Sequence, residues 1–284
     1  MSGGAGIGTD LRRRVTGRVL LPGDGPEYDA ARRVWNAAAD HHPAAVVRPA
    51  DEDDVQAAVR FASEHALPVS MRSGGHHHAG YAAGEGALMI DLSSWRRVRV
   101  DAAAGTVTVQ PGATWGELDA ATTAHGLVTT GCDMPSVGVG GSVLGGGFGW
   151  LHRRFGLSCD NLLGARLVSA DAAIRAVDAR DADGLFWALR GGGGAFGVVT
   201  DLTLALHRVP ALATTSALLP VEQARDGLAA YREITTNAPE ELFVRALLMP
   251  APPAPWVPVS LHGHPVLIVA GTWLGDPAGR EGGL

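Results

Sequence analysis

The chain has 284 residues, a net charge of −6 and 39 glycines, about twice the ordinary usage of that residue. Its length accommodates one large domain or two smaller ones, and its glycines, clustered in runs, argue for binding loops built from backbone rather than for a helical bundle. The acidic balance and dispersed arginines leave no basic stripe for nucleic acid, and no segment has the length and purity of a membrane span.

In chain order, residues 1–14 read as a flexible tail without the apolar core of a secretory signal, so a cytoplasmic protein is the default expectation. Tyr28, Ala31, Val34 and Trp35 have the spacing of the inner side of a short helix. A strand at Val46-Val47, a helix begun by Asp53 or Asp54 with Val55, Ala58, Val59 and Ala62 inward, and a strand at Val69–Met71 form a strand-helix-strand unit. It feeds Arg72-Ser73-Gly74-Gly75-His76-His77-His78, where adjacent glycines let backbone amides approach a bound group and an imidazole follows at once.

Strands are then expected around Ala87–Asp91, Val98–Asp101 and Thr106–Gln110. A helix follows, with Thr114 and Glu117 at capping-box spacing. Glycine is densest at residues 137–149. A Rossmann fingerprint there would need a first strand, a glycine turn and a long helix, and the run instead follows several strands. Leu185–Arg190 reads as a short helix with Phe186, Trp187 and Leu189 inward, followed by glycines 191–194 and an alternating strand to Leu206. Cys132 and Cys159 make neither a disulfide framework nor a zinc site, and Cys159 reads as a small buried residue. His262 and His264 have no third donor nearby, so no metal is expected.

Taken together, the segments Arg72–His76, Pro111–Trp115, Val137–Gly149, Gly156–Leu162 and Leu185–Gly197 resemble, in order, the motif set of berberine bridge enzyme-like flavin oxidoreductases. These belong to the vanillyl-alcohol-oxidase superfamily, with its PCMH-type FAD-binding domain. The resemblance implies an α+β fold with an FAD-binding domain of two α/β subdomains at 15–210, a domain boundary at Pro210, and a partial antiparallel-sheet substrate domain at 211–284. It implies cofactor contacts from Arg72, Ser73, Gly74, Gly75, His76, Pro111, Gly112, Val139, Gly140, Gly141, Ser142, Gly145, Gly146, Gly194, Gly197, Val198 and Val199. It further implies FAD bonded covalently through His76 alone, because Met134 stands where doubly linked relatives have a cysteine. Ala195 replaces the family's asparagine, which removes one polar contact.

The implied reaction is hydride transfer from a carbon bearing a hydroxyl or amine to flavin, with oxygen or another acceptor completing the cycle. The partners expected are a small-molecule substrate and that acceptor, with a complementing subunit or homo-oligomer also compatible. No catalytic base is assigned. The family's later motifs cannot be placed before Leu284, so a flavin-binding protein without independent activity stands as an alternative reading, and a small-molecule module without flavin as another.

Overall fold

The computed structural model describes residues 3–209 and 211–275, so both Pro210 and the C-terminal residues around Leu284 lie outside the described residues. The chain divides into two compact units. One holds the residues up to Gly149 together with Gly156–His207, and the other holds Trp150–Phe155 together with the chain from Arg208 onward.

The first unit contains two sheets. Strands β1 (Arg18–Leu20), β2 (Ala45–Arg48), β3 (Val69–Arg72) and β4 (Leu88–Asp91) pair in the order β1-β2-β4-β3, with β4 parallel to both β2 and β3. Helix α1 (Gly3–Arg14), α2 (Pro26–Arg32) and α3 (Glu52–Glu64) accompany this sheet. Asp51 caps α3 by accepting the Asp54 amide, one turn of chain before the aspartates expected to begin it. Val55, Ala58, Val59 and Ala62 are buried on its inner face, as their spacing requires, against Val47, Leu88 and Ile90.

The second sheet is antiparallel throughout: β5 (Val98–Asp101), β6 (Thr106–Val109), β8 (Leu162–Val168), β9 (Ile174–Asp178) and β10 (Val198–Ala205), in the order β5-β6-β10-β8-β9. Its core gathers Val107, Val109, Leu167, Leu202 and Leu204 with Trp115 and Leu118 of α4 (Trp115–Thr123), Val139 and Val143 of α5 (Val139–Leu144), and Phe186 and Leu189 of α7 (Leu185–Leu189). The short strands β7 (Leu127–Val128) and β11 (His207–Arg208) complete the series. The two subdomains are tied across their sheets by Glu52, which takes two donors from Arg166 at 2.7 and 2.8 Å and the Thr200 hydroxyl at 2.6 Å.

In the second unit, β12 (Leu212–Pro220), β14 (Pro265–Leu274) and β13 (Leu242–Pro250) form an antiparallel sheet with β14 central, accompanied by α8 (Ala224–Thr236). The molecule is thus a mixed fold of helices and largely antiparallel sheets.

Three expectations are corrected. Residues 3–14 form a helix, and not a tail, because Leu11 is fully buried, worth about 2 kcal/mol. Arg12 and Arg14 are also used in pairs with Asp24 and Asp10. The segment Trp150–Phe155, containing α6 (His152–Phe155), joins the second unit: Trp150 packs edge-on against Phe243 and beneath the Arg245 guanidinium, 4.0 Å from the ring centre. Trp187 points outward and is 80% exposed, because α7 has a single buried face that Phe186 and Leu189 share at i,i+3. In α8 the half-buried positions are Ala224, Gly227, Tyr231 and Thr235, and Leu228 is exposed; Gly227 is the residue that seats the helix against Leu219 and Leu267.

Candidate cofactor site

The Arg72–His76 loop leaves β3 and is closed by contacts to three other segments of the same unit. The Ser73 hydroxyl donates to the Pro111 carbonyl, which also accepts the Gly140 amide at 3.1 Å. The Val139 amide donates to Ala113 at 2.8 Å, and Thr114 bridges Gly138. These bonds fasten the start of α5 beneath both loops. Gly74 and Gly138 meet backbone to backbone: a Cβ on either would lie 2.8 Å from the other's Cα and closer still to its amide nitrogen. No side chain fits there. Gly75, at φ 71°, takes the left-handed turn that brings His76 out of the loop.

The second glycine run is stitched to the other end of α5. Amides of Gly191 and Gly193 both donate to the Leu144 carbonyl, at 3.1 and 2.8 Å. Gly194 comes close to Met71 at the base of the first loop: a Cβ there would lie 2.9 Å from its terminal methyl. Gly146 and Gly147 accept the amides of Cys159 and Ser158, at 2.9 and 2.7 Å, which brings in the Gly156–Leu162 motif.

The predicted residues therefore divide. Arg72, Ser73, Gly74, Gly75, His76, Pro111, Gly112, Val139, Gly140, Gly141, Ser142, Gly145, Gly146 and Gly194 lie on segments joined in one network. Gly197 precedes β10, which Val198 and Val199 open, and both valine side chains are consumed in the core opposite Val168 and Leu167. Arg72 is turned inward: its Nη1 donates to the carbonyl of Ala31 at 2.6 Å, near the C-terminus of α2, where a cation is favoured. Its Nε is buried with no partner among the described residues. The amides of Gly74, Gly75 and His76 likewise donate to no acceptor among the described residues. Gly141 has open space where a Cβ would project.

His76 is half-buried, and burial lowers its pKa below the ordinary histidine value, so its imidazole is neutral at neutral pH. It lies face to face with Trp35, ring centres 5.7 Å apart and planes 21° apart. This contact was not foreseen. Its spacing predicts the inner side of a helix for Trp35, yet α2 ends at Arg32 and Trp35 is 52% exposed. Its amide donates to the Gly75 carbonyl at 3.0 Å. A tryptophan just past a helix end, on a chain whose histidines cluster elsewhere, carried no sequence signal of that pairing.

Cys132 and Cys159 are both free, and Met134 is 44% exposed. A cleft of about 710 Å³ lies elsewhere, lined by Asp51, Glu52, Asp53, Trp95 and Asp201 among others. It contains none of the loop residues, and two of its carboxylates are already occupied: Asp51 caps α3 and Glu52 pairs with Arg166.

Comparison with known proteins follows the same lines. Residues 43–178 match the FAD binding domain family. The chain is 36% identical over 232 residues to an uncharacterized FAD-linked oxidoreductase, YvdP, of Bacillus subtilis, covering 81% of this chain and 52% of that protein. It is 34% identical over 196 residues to (R)-6-hydroxynicotine oxidase of Paenarthrobacter nicotinovorans, covering 69% and 43%. The solved structure of BBE-like 1 from Physcomitrella patens superposes with a TM-score of 0.84 at 28% identity, over 96% of this chain and 57% of that one. The chain thus spans about half the length of the curated relatives it matches. The chain carries an FAD binding domain, and its relatives in both sequence and structure are FAD-linked oxidoreductases and berberine bridge enzyme-like proteins.

Proposed function

We propose that the linked loops around Gly74 and Gly138 hold FAD, that His76 bonds to it, and that the protein is an oxidoreductase acting on a carbon bearing a hydroxyl or amine. The observation that carries this reading is the cradle itself: four glycine-containing segments hydrogen-bonded to one another, with an imidazole at the edge and a run of amides at Gly74, Gly75 and His76 that donate to no acceptor among the described residues. The donor set fits the cofactor. Successive amides suit phosphate oxygens, the half-buried Arg72 guanidinium adds positive charge near them, and the open side of Gly141 admits a flat ring system against the main chain.

In this reading Gly74, Gly75 and His76 bind the pyrophosphate through backbone, and Ser73 serves by tying that loop to Pro111. His76 contributes one imidazole nitrogen to a covalent link, and its neutral form is the nucleophilic one. Met134 carries a thioether and forms no second link. Bound flavin supplies two-electron redox chemistry, with oxygen or another acceptor as the electron sink. Hydroxylated sugars and secondary metabolites are the proposed substrate classes.

The relatives are about twice as long as the stretch they share with this chain, and that favours a second reading in which this chain binds flavin without turning over by itself. One experiment separates the readings. The purified chain, supplemented with FAD and freed of excess, is scanned for flavin absorption and then mixed anaerobically with alcohols, sugars and amines. A flavin spectrum bleached by one of these classes supports the oxidoreductase. A stable spectrum that none of them bleaches supports the second reading, and no flavin after supplementation overturns both.

A further inference from the structure

Covalent attachment demands more than a nucleophilic nitrogen within reach, because the imidazole plane must be held so that a lone pair meets one particular carbon. Three consecutive histidines follow Gly75, and the structure fastens each differently. His77 stacks on Tyr81, ring centres 4.4 Å apart, and its Nδ1 accepts the Ala79 amide at 3.0 Å. His78 is exposed; its carbonyl accepts the Asn36 side-chain amide, and its ring meets Trp35 only by an edge, at 5.5 Å. His76 is the one whose ring runs nearly parallel to the indole, and its ring nitrogens have no hydrogen-bond partner among the described residues.

Trp35 is itself anchored. Its amide bonds to Gly75, Asn36 accepts the Ala38 amide at 3.1 Å while reaching His78, and Gly80 closes the histidine loop tightly onto Ala39. A tryptophan left half exposed on so constrained a backbone contributes little to a core. Its ring instead meets two imidazoles, nearly parallel to that of His76 and perpendicular to that of His78.

We propose that Trp35 is a positioning residue for covalent flavin attachment: its indole fixes the plane of the His76 ring and so directs the bond to His76 rather than to His77 or His78. The proposal rests on the FAD reading above. In the attachment, one imidazole N–H bond and one C–H bond of the flavin 8α methyl are broken and one C–N bond forms. The two electrons and two protons released pass to dioxygen, giving hydrogen peroxide.

The test follows attachment and not turnover. The wild-type chain, Trp35→Phe and Trp35→Leu are incubated with FAD in air, and the flavin surviving denaturation is measured against total bound flavin over time, with peptide mapping of the adduct. Phenylalanine keeps an aromatic face and leucine keeps apolar bulk without one. The expected result is a rate within about threefold of wild type for Trp35→Phe and about tenfold slower for Trp35→Leu, the scale of an aromatic pair. Adduct moving to the His77 or His78 position in Trp35→Leu also supports the proposal. A wild-type rate and position in Trp35→Leu overturns it, as does an equal loss in both variants, which marks simple packing. Complete release of flavin by wild type overturns the covalent reading and this proposal with it, and is told apart from the other outcomes because it appears before any substitution.

Discussion

Alanine at Gly138 isolates the backbone approach that closes the cradle. Gly138 sits at φ −72° and ψ 136°, a conformation alanine adopts freely, so the substitution introduces no backbone strain and every effect comes from contact. The new Cβ would lie 2.8 Å from Gly74 Cα, whereas carbon atoms rest about 3.5–4.0 Å apart, so the two loops must separate by about 0.7 Å or more. Overpacking of this kind costs about 1–3 kcal/mol. Straining the Ser73 to Pro111 bond and the Thr114 bridge to Gly138 adds about 1 kcal/mol. The expected sum is about 2–4 kcal/mol, or roughly a 1 M fall in the urea midpoint, accompanied by loss of bound flavin. Gly141→Ala is the internal control. Nothing lies within 4 Å of its added methyl, so stability holds or rises by about 1 kcal/mol, while flavin binding weakens because the methyl projects into the proposed ring site. Urea unfolding with flavin fluorescence reads both variants. Wild-type unfolding and wild-type flavin content in Gly138→Ala would refute the close approach, and unchanged flavin affinity in Gly141→Ala would refute the assignment of that side to the cofactor.

Other outcomes follow from groups away from the cradle. Asp54 is buried, which by itself raises its pKa, but amides of Ala50, Thr16 and Gly17 converge on its carboxylate and the net shift is downward. Its stabilising contribution is therefore complete above the unfolded carboxyl value, about 3.9, and is lost as pH falls through the lower folded value. Asp54→Asn should cost about 2–4 kcal/mol at neutral pH and flatten the acid limb of stability measured against pH; an unchanged acid limb would contradict the assignment. Thr114→Ala removes the acceptor for the Glu117 amide and should cost about 1 kcal/mol in urea unfolding.

Much of this architecture could be read before the structure because local chemistry and tertiary packing agree. The Thr114 and Glu117 capping box forms as spaced, with the Glu117 carboxylate accepting the Thr114 amide at 2.8 Å. The inner face of α3 is the one its periodicity marks, and the alternation of β10 matches its buried positions. Where the reading failed, the deciding contact was remote. Leu11 is buried by packing with residues far along the chain, which a glycine-rich start followed by three arginines does not announce. The 139–144 stretch folds as a helix despite two glycines, held at its ends by Ala113, Pro111 and the 191–193 amides. Val198 and Val199 match the motif in sequence, yet their side chains belong to the core. Trp35 was invisible as a partner of His76 because the two are brought together by contacts between segments about 40 residues apart, the Trp35 amide on Gly75 and the Asn36 side chain on the His78 carbonyl.

The central claim, that this cradle holds FAD through His76, is tested most directly by intact mass of the protein before and after denaturation, followed by mapping of its flavin-bearing peptide. The account predicts one FAD retained per chain on the peptide containing His76, and none on the His76→Ala protein. Flavin fully released from the wild-type chain, or retained on the Cys132 peptide instead, would contradict it.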